Sequence, residues 1–359
     1  MMAKLDFFPV VLPFEYDFTI SRHSKREQPL LIVAYTQDGI TGYGETAENA
    51  YYQVHIQELV SFLKSMQEEI EQARFSDPDI WWAQLKQAMA ARSVKNPHLV
   101  HFALCAIDMA LWDWYARKHQ KPLYRFWCDE PTPRPCTDYT IGIDQPSVML
   151  EKMKAHPWPV YKIKVGTQED MQILTTLREH TRARMRIDAN AGWDFAQLNR
   201  YYPLCKQLQI ECIEQPLPAA ADAQLAGFSA DPALPLIADE SCVTEHDVMP
   251  CARYFQGINI KLTKCGGITP ALRMIRQARS LGLKVMLGSM NESIVGTSAA
   301  AHLLPLVDEA DLDGPLLLKA EIARGIHYGN GEIFYANMPG SGVELLPALE
   351  EFLVHDSIS

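Results

Sequence analysis

From residue 162 onward, apolar segments repeatedly end in a side chain that can do chemistry. YKIKVG carries Lys162 and Lys164, RIDAN holds Asp188, IECIEQP holds Glu214 and PLIADES holds Asp239. INIKLTKCGG follows with Lys264, VMLGSM with Ser289, and ADLDGP with Asp311 and Asp313. Their spacing is about one strand–helix unit, the rhythm of a barrel of parallel strands. Loops after every strand of such a barrel converge at one end, so these side chains would share a pocket. Carboxylates on three successive strands, with lysines on strands before and after them, point to an enzyme with a metal and two bases.

Asp188, Glu214 and Asp239 are hard oxygen donors, suited to Mg²⁺, which keeps waters and accepts substrate oxygens. Zinc or copper would call for His or Cys, and neither falls at these positions. Any one of the carboxylates alone reads equally well as a helix cap or a surface ion pair. Their matched positions at three strand ends carry the argument. Lys162 and Lys164 lie two apart on one strand and therefore point to the same side, the barrel interior. Two inward lysines are costly without opposite charge nearby, and the neighbouring carboxylates offset that cost. Lys264 comes from the far side of the ring. A lysine serving as a base near neutrality must fall from about 10.4 towards 7–8, roughly 4 kcal/mol of environment. KxK and KCGG mean little alone; their register with the carboxylates makes them informative.

The elements that must position these residues fall into two styles. LLIVAYTQDGITGYGET predicts a hairpin turning at Gln37-Asp38-Gly39. Two helical patterns follow, roughly Tyr51 to Glu71 and Pro97 to His119, and the second is apolar nearly all round, so it should be buried. Strands followed by helices imply an α+β lid over residues 1–130. From 131 to 324 the rhythm alternates: TDYTIGI and seven further strand-like runs, separated by helical stretches, predict a TIM-type barrel, modified as (β/α)7β. Residues 325–359 return to hairpin patterns and should pack back on the lid.

Composition excludes other classes. The chain has 359 residues, 48% hydrophobic and 21% charged, with a formal net charge of -11. The acidic balance and lack of a basic stripe argue against nucleic acid. No stretch is long and apolar enough for a bilayer, and the N-terminus lacks signal-peptide features, so a cytoplasmic protein is expected. The eight cysteines show no CxxC pair and read as reduced thiols, several of them buried. GYGE and GSG have no phosphate-binding helix after them and read as turns. His98, His101, Trp81, Trp82 and Trp112 read as packing residues.

YKIKVG, RIDANAGW, IEQP, ADES and NIKLTKCGG, in this order and spacing, resemble the enolase superfamily, in particular its muconate-lactonising subgroup. The resemblance extends over essentially the whole chain, including TGYGET and ALCAIDMALWD. It implies removal of a proton α to a carboxylate, with one Mg²⁺ per subunit stabilising the enediolate. By resemblance Asp188, Glu214 and Asp239 are metal ligands, Lys164 and Lys264 the acid/base pair, and Lys162 an electrostatic helper near the substrate carboxylate. Asn190 and Lys261 are expected to support these groups. Two opposed bases allow a 1,1-proton transfer, hence racemisation or epimerisation. Loss of water or lactone closure, which need one base, use the same residues.

DLDGP separates these reactions. Asp311 and Asp313 share a face and would offer two carboxylates to a substrate ammonium, and this DxD is similar to the dipeptide epimerase signature. Arg22, in FTISRHSKREQP, lies where L-Ala-D/L-Glu epimerases place an arginine for the glutamate side chain; His23, Lys25 and Arg26 add charge there. Ser289 and Met290 should line the pocket, and Glu292 resembles a family position that could bridge to Lys264. The resemblance thus implies a Mg²⁺-dependent dipeptide epimerase of L-Ala-D/L-Glu type, acting on dipeptides from cell-wall breakdown. The alternatives are o-succinylbenzoate synthase or muconate cycloisomerase chemistry, or a silent peptide-binding barrel. A homo-oligomer is compatible with the sequence.

Overall fold

The computed structural model describes residues 3–73, 77–92, 95–132 and 134–354. A three-stranded antiparallel sheet opens the chain: β1 (Lys4–Thr19), β2 (Ser24–Gln37) and β3 (Ile40–Ala47). Gln37 pairs with Ile40 across a two-residue turn. Asp38 and Gly39 take φ of 53° and 76° there, as the tightest hairpin turns require. Three helices follow, α1 (Ile56–Gln72), α2 (Pro78–Ala90) and α3 (Pro97–Lys118). The sequence reading missed α2, which is started by Asp77, whose side chain accepts from the Asp79 and Ile80 N–H groups, and by Pro78 in the first turn. The expected burial of α3 is observed along nearly its whole length.

GYGE is not a turn. It lies inside β3, which is laid directly against α3. A Cβ on Gly42 would meet Ala110 O and Trp114 N, and one on Gly44 would meet Ala106 O. These glycines permit the close approach of strand and helix.

Eight parallel strands form the barrel in sequential order: β4 (Tyr139–Ile141), β5 (Val160–Lys164), β6 (Arg184–Asp188), β7 (Ile210–Glu214), β8 (Leu236–Ala238), β9 (Gly257–Lys261), β10 (Lys284–Gly288) and β11 (Glu309–Asp311). A Thr137–Ala310 bridge brings the first and last strands together. Outside lie α4 (Pro146–Ala155), α5 (Asp170–His180), α6 (Phe195–Gln207), a short α7 (Val248–Cys251), the single turn α8 (Leu262–Cys265), α9 (Ile268–Ser280), α10 (Ile294–Ala301) and the single turn α11 (Gly314–Leu317). A 3₁₀ stretch, Ala219–Leu225, follows β7 in place of an α-helix.

Register sets the site. Lys164, Asp188 and Glu214 are neighbours on adjacent strands, as are Lys261, Gly288 and Asp311. The lid is seated on the barrel by polar contacts: Trp82 Nε1 donates to Gly266 O at 2.8 Å, and Trp112 Nε1 to Thr269 Oγ1 at 2.8 Å. Buried Glu45, at the end of β3, accepts from Ser293 N at 2.8 Å and Gly296 N at 2.7 Å. The C-terminal stretch forms β12 (Ala323–Arg324), paired with β15 (Glu344–Leu345), and the hairpin β13 (His327–Gly329) and β14 (Glu332–Phe334). It returns to the first strand, where Val354 N donates to Pro9 O at 2.9 Å. All eight cysteines are free, and no described helix is long and apolar enough to cross a membrane.

Candidate active site

Carboxylate oxygens of Asp188, Glu214 and Asp239 lie within 4.8 Å of one another, and all three residues are buried. Asp188 and Glu214 end β6 and β7, while Asp239 follows β8 directly. The Asn190 N–H donates to Asp188 Oδ1 at 2.8 Å and its amide to Oδ2 at 3.1 Å, with Asn190 itself at a left-handed φ of 45°. That backbone turn lets one residue support the carboxylate twice. Asn259 Nδ2 donates to Glu214 Oε1 at 2.8 Å.

Lysines surround the trio. Lys162 Nζ lies 2.8 Å from Glu214 Oε2, 3.3 Å from Asp188 Oδ2 and 2.6 Å from Asp311 Oδ2. Lys164 Nζ donates to Asp188 Oδ2 at 2.7 Å. Across the barrel mouth, Lys261 Nζ donates to Asp239 Oδ2 at 2.7 Å, and Lys264 Nζ to Asp239 Oδ1 and to Asn259 O at 3.1 Å. Lys264 does not extend a strand, as INIKLTKCGG suggested; β9 stops at Lys261 and Lys264 stands on the turn of α8.

These neighbours set the charge states. Burial acts to raise the Asp188 carboxyl, but Lys164 and Lys162 together outweigh it and hold it at about 2. Lys261 and Lys264 likewise overcome burial at Asp239 and keep it well below the carboxylate range. Glu214 goes the other way: burial and Asp188 push it up to about 7 against the pull of Lys162. Burial disfavours the Lys162 ammonium, yet Asp311, Glu214 and Asp188 raise it well above its ordinary value, so Lys162 stays charged.

Hard oxygen donors with no Cys or His among them fit a divalent cation such as Mg²⁺. Glu214 Oε2 strengthens the fit, since it accepts no hydrogen bond: Lys162 approaches it off the hydrogen-bonding direction. A pocket opens from this point to the lid, with Lys164, Asp239 and Lys261 at its base. Ser289 and Met290 line it, as expected from the sequence.

Other expected residues sit differently. Asp311 is engaged by Lys162, and Asp313 Oδ2 accepts from Thr140 N at 2.5 Å. Both are buried in the barrel and neither lines the pocket. Glu292 does not bridge to Lys264: it accepts from Thr263 Oγ1 at 2.9 Å and from Met290 N, fixing the segment after β10. Arg22 does reach the pocket wall, but its guanidinium donates to Glu240 Oε1 at 2.7 Å and Asn190 O at 2.8 Å and lies 4.3 Å over the Tyr51 ring. Lys25 and Arg26 belong to β2 rather than to the tip, which spans residues 20–23.

The sequence reading overlooked Glu240, Asn259, Arg186 and Asp138. Period-2 alternation could have found Asn259 and Arg186. Arg186 precedes Asp188 by two and Asn259 precedes Lys261 by two, so both point inward. Glu240 neighbours Asp239 but shows its role only through Arg22, which lies 218 residues away in the chain.

A parallel barrel carrying buried carboxylates and lysines at its C-terminal rim, under an α+β lid, defines a lidded-barrel enzyme of the enolase type. Residues 4–126 match the family model described as the N-terminal domain of mandelate racemase / muconate lactonizing enzyme, and residues 148–349 match that described as enolase C-terminal domain-like. The chain belongs to the enolase superfamily, in its mandelate racemase / muconate lactonizing enzyme branch. It is 44% identical over 335 residues to an L-Ala-D/L-amino acid epimerase of Maribacter sp., covering 93% of this chain and 97% of that one. It is 35% identical over 347 residues to an L-Ala-D/L-Glu epimerase of Bacteroides thetaiotaomicron, covering 95% and 87%. Its structure is similar to that of a Cytophaga hutchinsonii dipeptide epimerase complexed with Mg and D-Ala-L-Val, with a TM-score of 0.89, 26% identity and 98% of each chain covered.

Proposed function

We propose that this protein is a Mg²⁺-dependent dipeptide epimerase of L-Ala-D/L-Glu type, inverting the α-carbon of the C-terminal residue. The observation that carries the reading is the pair of lysines set on opposite sides of one carboxylate trio, Lys164 bonded to Asp188 and Lys264 to Asp239. The names of the Maribacter, Bacteroides and Cytophaga relatives support it.

Asp188, Glu214 and Asp239 would hold the metal, which supplies positive charge beside the substrate carboxylate as the α-proton leaves. One lysine Nζ takes the proton from Cα, and the other delivers a proton to the opposite face, which inverts the centre. Lys162, held charged, adds positive field at the same point. Asn190 and Lys261 orient Asp188 and Asp239, and Glu292 orients the segment of Ser289 and Met290 that borders the substrate. Asp311 and Asp313 are assigned to the substrate ammonium, which must then take over contacts that Lys162 and the Thr140 N–H make here. Arg22 lies on the side-chain wall. Residues 1–130, 131–324 and 325–359 act as lid, catalytic barrel and returning segment, in a cytoplasmic enzyme with no nucleic-acid or membrane partner.

Incubation with Mg²⁺ and L-Ala-L-Glu in D₂O tests the reading. Deuterium should appear at the glutamate α-carbon together with inverted configuration. Lys164→Ala or Lys264→Ala should lower epimerisation by about 10²–10⁴-fold. Epimerisation at the wild-type rate in either variant would sink the two-base mechanism.

A further inference from the structure

The charged groups lining the pocket can be paired off one by one. Lys164 is matched by Asp188 at 2.7 Å, Lys261 by Asp239 at 2.7 Å, and Arg22 by Glu240 at 2.7 Å. Burial, with Lys25, Arg22 and Lys164 adding to it, pushes the His23 imidazole below its ordinary range, so this ring is neutral near pH 7. One lining cation is left over, Lys25.

Lys25 Nζ donates to Gln28 Oε1 at 3.2 Å, and among the described residues it has no carboxylate partner. Gln28 is buried, and its amide nitrogen donates to Pro29 O at 3.0 Å and Glu48 O at 3.1 Å. That orientation leaves the amide oxygen facing Lys25 and holds the ammonium in place without neutralising it. Burial pulls the Lys25 ammonium below its ordinary range, and two carboxylates, Glu48 and Glu292, oppose that from a distance. Both are already engaged, Glu48 by Ile56 N at 3.0 Å and Glu292 by Thr263 Oγ1 at 2.9 Å.

Arg22 has the opposite character. Its contacts with Glu240, Asn190 O and Tyr51 tie the lid tip to the loops after β8 and β6. A substrate carboxylate reaching this guanidinium would have to share it with the buried Glu240, whose charge already matches it.

Building on the dipeptide reading, we propose that Lys25, not Arg22, is the specificity-determining cation, selecting an acidic side chain on the epimerised residue. Arg22 is a positioning residue that docks the lid. A dipeptide's terminal carboxylate goes to the base of the pocket, so a second carboxylate, in the side chain, is what the unmatched ammonium of Lys25 recognises.

The test compares kcat/KM for L-Ala-L-Glu and its neutral isostere L-Ala-L-Gln. Lys25→Met should lower the Glu-to-Gln ratio by about 10- to 100-fold, chiefly through KM, the range for a lost charge-assisted hydrogen bond. Lys25→Arg should retain most of the ratio, which also guards against a misfolded Met variant. Arg22→Met should lower both substrates together. A ratio that survives Lys25→Met, or collapses in Arg22→Met instead, overturns the inference alone. Absence of α-proton exchange by the wild-type enzyme with every dipeptide overturns the epimerase reading and this inference with it.

Discussion

Two buried trios of carboxylates occupy the same barrel, and each brings its oxygens within 4.8 Å. Asp188, Glu214 and Asp239 sit at the pocket end, ringed by four lysines, and Asp239 is open to the pocket. Asp138, Asp311 and Asp313 lie in the barrel interior and are engaged here by Arg186, Lys162 and the Thr140 N–H. Arg186 Nη1 donates to Asp138 Oδ2 at 3.0 Å, and its Nε lies 3.3 Å from Glu211 Oε2 and 3.4 Å from Glu309 Oε2. Burial and Asp311 push Asp313 up to about 7, and burial and Asp311 raise Asp138 well above its usual range. The difference teaches that acid count does not make a metal site. Access decides: the first trio borders the pocket, where a cation can enter, whereas the second is packed around the buried Arg186 guanidinium in the interior.

Substitutions separate the two trios. Asp188→Asn should reduce epimerisation on the order of 10³-fold. It should also abolish the rise in thermal stability with Mg²⁺, which for a site filled at 100-fold excess over Kd is about 2.7 kcal/mol. Epimerisation and Mg²⁺ stabilisation both at wild-type level would remove the first trio from the metal assignment. Asp138→Asn should instead destabilise the fold in denaturant titration, by less than the roughly 3 kcal/mol of an uncompensated buried charge, because Arg186 keeps Glu211 and Glu309. Its response to Mg²⁺ should survive, and loss of that response would join the two trios into one functional unit.

His302, which caps α10, is a buried titratable group with no counter-charge among the described residues. Its Nδ1 accepts from Tyr124 N at 3.3 Å, and its ring stacks 4.7 Å from Tyr335. Burial lowers its pKa to about 4. The unfolded chain takes up this proton below about 6.5, while the folded protein does so only near 4. Stability is therefore fully present above 6.5 and falls as pH drops towards 4, by about 3 kcal/mol for this group. His302→Gln should flatten that acid limb in thermal melts between pH 7 and 4; an unchanged slope would show that other groups set it.

The comparison also marks how far the sequence could be read. Period-2 alternation was enough to aim Lys162, Lys164 and Asp188 into the barrel and to place three carboxylates on neighbouring strands, because parallel register and side-chain alternation are local rules. The hairpin at Asp38-Gly39 and the buried α3 were legible for the same reason. GYGE misled because a glycine in a strand looks like a glycine in a turn until the helix packed on it is known. DLDGP was legible as two inward carboxylates, but the Lys162 and Thr140 contacts that engage them come from strands 149 and 173 residues away in the chain.

Residue types and spacing thus determined the barrel, the carboxylate trio and the lysines flanking it, since each follows from strand periodicity and the convergence of loops at one barrel end. Tertiary structure alone decided which charges remain unmatched. Arg22 and Lys25 are near neighbours in one basic stretch, yet folding brings Glu240 to the first and only a neutral amide to the second. Coulombic pairing depends on distances of a few ångströms between groups far apart in the chain, and no local pattern encodes them.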